Sequence, residues 1–80
     1  MVTQQEADAL AQECIRNYLN DCGLETVADA GNALMKLCSV TGIALCATVG
    51  YEDAVDRLNG VAAFVENNMR DVQFKREMLN

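Results

Sequence analysis

The stretch KLCSVTGIALCATVGY, residues 36–51, decides the fold. From Leu37 to Tyr51 it carries no charge, and it combines Cys38 and Cys46 with Gly42, Gly50 and the β-branched Val40, Thr41, Thr48 and Val49. Such a run reads in four ways: a membrane span, a β-hairpin, a pair of reactive thiols, or a helix apolar on every side. A span needs about 20 consecutive apolar residues. The uncharged run has 15, rich in Ala, Gly, Ser and Thr and poor in Leu and Ile. A hairpin made from Val40-Thr41 and Thr48-Val49 has no further strand to pair with, and an isolated two-stranded hairpin is marginal in water. The spacing therefore predicts a helix, with Leu34, Leu37, Cys38, Thr41, Ala44 and Leu45 on one side and Met35, Ser39, Gly42, Cys46 and Val49 on the other. A helix apolar all round is expected to be buried all round.

Helices flank this run on both sides. Thr3-Gln4-Gln5-Glu6 fits a capping box, in which the hydroxyl and the carboxylate each satisfy an orphan amide. Apolar positions then recur at Leu10, Ala11, Cys14, Ile15, Tyr18, Leu19 and Cys22 with the 3.6-residue helical period, and Gly23 follows as a left-handed terminator. Thr26-Val27-Ala28-Asp29 opens the second helix in the same manner. In the third, Tyr51, Leu58, Val65, Val72 and Leu79 recur every seven residues, which predicts one long helix with Gly60 as its weak point. The expected fold is all-α. It is a single domain over residues 1–80, with helices at about 4–22, 27–49 and 51–78, arranged as a three-helix antiparallel bundle or helical hairpin with a long C-terminal helix. More apolar surface on helix two than one chain of this size covers predicts a homodimer or larger symmetric homo-oligomer through Ser39, Gly42, Cys46 and Val49.

Charge narrows the partners. Residues 1–35 hold six acids against Arg16 alone, and the whole chain carries −6. An acidic body repels phosphate backbones, so direct nucleic-acid binding is not expected. The N-terminal MVTQQEADALAQE is acidic and lacks an apolar core, so no signal peptide is expected; a cytoplasmic location and reduced cysteines follow.

Chemistry is sparse. There is no histidine, and Cys14/Cys22 and Cys38/Cys46 repeat a C-x7-C spacing unlike that of structural zinc sites. Without a base beside them, the four cysteines are expected to be small core hydrophobes. No metal, cofactor or enzymatic activity is expected. The function that fits is a small acidic interaction protein that binds and modulates or inhibits a larger protein, of the kind phages and mobile elements carry against host defence or regulatory proteins. Its expected partner-binding residues are Glu52, Asp53 and Asp56 at the start of helix three, and Met69, Phe74 and Met78 at its end. An alternative is a binder of a small anionic, nucleotide-like ligand at a subunit interface, using Arg16, Tyr18 and Lys36.

Overall fold

The computed structural model describes residues 1–72. It is all-α: three helices hold 83% of these residues, and no strand occurs among them. Helix α1 spans Gln4–Cys22, α2 Val27–Val49 and α3 Tyr51–Asn68. Residues 36–49 are thus helical, and strand-favouring Val40, Thr41, Thr48 and Val49 yield to the surrounding helical pattern. The hydroxyls of Ser39, Thr41 and Thr48 donate to the carbonyls of Met35, Leu37 and Ala44, one turn back, at 3.1, 2.8 and 2.7 Å. That bonding removes the polar demand that otherwise disfavours such residues inside a helix.

The helix starts are built as the sequence predicts. Thr3 Oγ1 accepts from the Glu6 amide at 3.1 Å while the Glu6 carboxylate accepts from the Thr3 amide at 3.1 Å. Thr26 and Asp29 repeat this exchange at 3.1 and 3.2 Å, and the Asp29 carboxylate also accepts from the Glu25 amide. Gly23 closes α1 at φ 64°, in the left-handed region open to glycine. Gly50, at φ 89°, is the single residue between α2 and α3; its amide donates to the Cys46 carbonyl and its carbonyl accepts from Ala54, so the backbone bonding passes through it without a gap.

Helix three ends at Asn68, where the apolar repeat predicts that it continues, and the part of the expected helix from 73 to 78 lies outside the described residues. Its last carbonyls are taken up locally: the Asn68 side-chain amide donates to the Phe64 carbonyl at 3.0 Å and Arg70 Nε to the Glu66 carbonyl at 2.9 Å. The Val72 amide turns back to the Met69 carbonyl at 3.1 Å. The polar Asn67-Asn68-Met69-Arg70 segment therefore terminates a helix that the seven-residue apolar repeat alone would continue.

Contacts group the residues into two units. The first is α1 with the start of α2, Met1–Leu34; the second begins at Met35 and contains the rest of α2 and α3. In the first, the Tyr18 hydroxyl crosses to the Ala33 carbonyl at 2.7 Å, and Leu19 and Ala30 are the buried residues. In the second, Ala54 is buried, and a Cβ built on Gly42 would lie 3.5 Å from Leu58 Cδ1. These three apolar residues are the whole buried core among the described residues. Each unit is a pair of helices, and a pair of helices encloses no interior. The expectation that α2 is buried on every side is overturned: Val40 and Ile43 are 56% and 71% exposed.

Two substitutions test these local assignments by urea unfolding followed by circular dichroism at fixed protein concentration. Thr3→Ala removes the α1 cap and is expected to lower stability by about 1 kcal/mol. Gly60→Ala meets nothing within 4 Å and is expected to raise stability by up to about 1 kcal/mol. The cap also predicts a pH dependence. The Thr3 backbone amide, then its hydroxyl, hold the Glu6 carboxyl below its usual value of 4.5. The cap's contribution is therefore present above pH 4.5 and lost as pH falls through the lowered value. Glu6→Gln should lack this acid-side loss.

Candidate functional site

The first turn of α3 gathers the densest group of functional side chains. Tyr51, Glu52, Asp53 and Asp56, with Val49 and Gly50, line a shallow hollow open to solvent. The acids are placed there by the α2–α3 corner: Gly50 starts the helix, and carboxylates in a first turn meet its positive end. The Tyr51 hydroxyl donates to Glu52 Oε1 at 3.2 Å, and Tyr51 is 68% exposed. Asp53 pairs with Arg57 Nε at 3.3 Å one turn on, a bond that solvent leaves weak because both side chains are more than half exposed. The result is an exposed aromatic ring bordered by three carboxylates. Such a hollow suits a cation, held by charge and by the face of the ring.

Of the other residues expected to bind a partner, Met69 follows the last turn of α3 and is 39% exposed, and its amide caps the helix on the Val65 carbonyl. Phe74 and Met78 lie outside the described residues. Of the residues expected to mediate self-association, Ser39 and Cys46 are exposed, whereas Gly42 and Val49 are half-buried and Gly42 faces Leu58 of the same chain.

Arg16 and Tyr18, expected in an anion pocket, are two residues apart on α1 and point about 200° from one another at 100° per residue. Arg16 Nε is buried without a hydrogen-bond partner. The hollow beside Tyr18 is lined by Leu10, Glu13, Cys14, Asn17 and Asp21, so it carries two acids and no base. That charge is the wrong sign for a nucleotide. Lys36 is exposed and belongs to the second unit.

The cysteines correct the sequence-based expectation. Cys14, Cys22, Cys38 and Cys46 are all free thiols and all exposed, not small core hydrophobes. They lie on the flanks of stripes whose centres alone are covered. Among the described residues no group of three or more His, Cys, Asp or Glu is arranged to hold a metal ion. By length and composition α2 is long and apolar enough to cross a membrane, and none of its apolar window is buried. This feature escapes a count of uncharged residues alone, because the 23-residue helix extends past Lys36 to Val27. No family model, curated protein or solved structure matches the chain.

Two measurements check this geometry. Cys14 and Cys22 should react with a thiol reagent in the native protein at rates close to those in denaturant; slow labelling would place them in a covered surface. Partial burial, and then the neighbouring Cys22, raise the Tyr18 phenol above its usual 10.0. A raised folded-state value means that Tyr18's contribution to stability is complete below pH 10.0 and is lost as pH rises through the raised value. Tyr18→Phe should be less stable at neutral pH and should lose less stability than the native chain in alkaline titration.

Proposed function

We propose that the chain is an interaction protein, not an enzyme: a helical subunit that completes its core by association with its own copies and offers the acidic start of α3 to a basic region of a larger protein whose activity it modulates. The observation that carries this reading is the burial pattern. Among the described residues three apolar residues are buried, while 16 large apolar residues, 12 of them between Leu10 on α1 and Val65 on α3, are exposed. So little burial does not offset the conformational entropy of ordering three helices, and apolar surface on this scale marks an interaction site. Association of the helices into an antiparallel bundle, within and between chains, supplies the missing cover.

The acidic hollow supports the second half of the reading. Aromatic and charged side chains around a depression are typical anchors for a protein partner, and the hollow's charge favours Lys or Arg. No observation favours the nucleotide-binding alternative, since the hollow beside Tyr18 is acidic.

The test has two arms. Sedimentation equilibrium from nanomolar to micromolar concentration should show a reversible oligomer, and helical content should fall as the oligomer dissociates. A well-folded monomer at micromolar concentration would sink the first half. Charge reversal of Glu52, Asp53 and Asp56 together should leave the oligomer intact and abolish co-purification of a partner from host lysate. Undiminished capture would remove the acidic hollow from the binding surface.

A further inference from the structure

We infer that the corner between α2 and α3 is a two-state hinge at Gly50: one state is the bent pair of helices described above, and the other is a single continuous helix from Val27 to Asn68 in which the acidic hollow is taken apart. The hinge is argued from the second unit alone; that the hollow binds a partner rests on the reading above.

One residue makes the corner. Gly50 has φ 89° and ψ 160°, a region essentially confined to glycine, while Val49 and Tyr51 on either side are already helical. Gly50 also makes both helical bonds of its position, donating to the Cys46 carbonyl and accepting from the Ala54 amide. Straightening therefore needs a change in one pair of dihedral angles. The amides of Tyr51, Glu52 and Asp53 begin α3 without a side-chain cap. In the continuous helix they donate to the carbonyls of Ala47, Thr48 and Val49, which end α2 without a following turn.

The apolar pattern runs in phase through the corner. Leu37, Val40, Ala44 and Ala47 on α2, then Tyr51, Ala54, Leu58, Val61 and Val65 on α3, alternate steps of three and four residues with no break at Gly50. All nine are apolar, and in a continuous helix they form one seam. The four charged residues between 37 and 65, namely Glu52, Asp53, Asp56 and Arg57, lie about 90° or more from its centre at 100° per residue. The bent state uses another side of α2. There Gly42, Leu45 and Val49 are half-buried and Gly42 meets Leu58, whereas Val40, Ala44 and Ala47 are exposed. Helix two thus has one apolar side for each state, which accounts for its being apolar all round.

Little burial holds the bend. Opening it uncovers Ala54 and the half-buried Gly42, Leu45 and Val49, against three backbone bonds gained. The hollow exists only in the bent state. Its lining, Val49 to Asp53 with Asp56, is the corner itself. At 100° per residue these six positions spread round the whole circumference of a straight helix. A ligand of the hollow therefore selects the bent state.

The test measures the distance across the corner in the full chain. Cys14, Cys22, Cys38 and Cys46 are replaced by Ser, and spin labels are attached at Ser39→Cys and Ala62→Cys, both exposed positions. Labelled chain is diluted into excess unlabelled chain, so that distances between copies drop out of the pulsed paramagnetic resonance signal. A continuous helix separates the two Cα atoms by about 34 Å at 1.5 Å per residue. Two helices packed with axes about 8–10 Å apart keep them within about 15 Å. The native chain should show both distances. Gly50→Ala should shift the ratio toward the long distance by about 30-fold, because alanine favours helix and is strained at the bent φ. It should also slow hydrogen exchange at the amides of Tyr51, Glu52 and Asp53. D-alanine at position 50, which favours positive φ, should remove the long distance. A native chain with the short distance alone would overturn the hinge, as would a helical Gly50→Ala chain with an unchanged distribution. If Gly50→Ala loses its helical signal, a long distance that survives in the D-alanine chain would overturn it. These distances do not depend on a partner, so the hinge and the partner-binding reading fail separately.

Discussion

The constraint behind every other feature is that two helices side by side have no inside. A helix in such a pair covers one narrow stripe and leaves most of its circumference in water. Both units here are pairs, and each buries what a pair can: Leu19 and Ala30 in one, Ala54 in the other. Two of these three are alanines, which suits close approach of backbones but removes little apolar area from water. Burial on that scale contributes only a few kcal/mol, far below the entropy cost of ordering the chain. The local devices that are present, capping boxes at Thr3 and Thr26 and the glycine turns at Gly23 and Gly50, define where helices begin and stop. They add about 1 kcal/mol each and do not replace a core.

Helix two shows how the chain manages this shortage. Its charged residues are confined to Asp29 and Lys36, and Ser39, Thr41 and Thr48 turn their hydroxyls onto its own backbone. The side chains that look polar in the sequence therefore present methyl and methylene surface to their surroundings.

Much of the secondary structure was legible in the sequence because its signals are local. Thr3 and Glu6 are three residues apart, and so are Thr26 and Asp29; Gly23 and Gly50 stand where only positive φ continues the chain. The end of helix three was not, because a seven-residue apolar repeat persists in sequence through Val72 while the backbone leaves the helix at Asn68. There the competing side-chain bonds of Asn68 and Arg70 decide. Burial was the least legible property. An apolar stripe at Cys14, Cys38 or Cys46 states which face prefers cover; it does not state that the same chain provides it. The acidic hollow was legible as a cluster, Glu52, Asp53 and Asp56, but the contribution of Tyr51 depends on its hydroxyl bonding to Glu52 and its ring remaining exposed.

In the proposed assembly, folding and association are one equilibrium. A subunit whose apolar faces are covered only by another copy is stabilised in proportion to the logarithm of its concentration, so its surfaces form fully only when enough chain is present. The acidic start of α3 follows α2 after the single residue Gly50, and its backbone bonds to the last turn of α2 through that residue. In such an assembly, ordering α2 by association would also order the turn that holds Tyr51, Glu52 and Asp53. A partner that binds this hollow would meet it preformed in the oligomer and would have to order it in the monomer. The two proposed binding events would then be coupled with the same sign: self-association would strengthen partner binding, and by linkage the partner would strengthen self-association by the same factor.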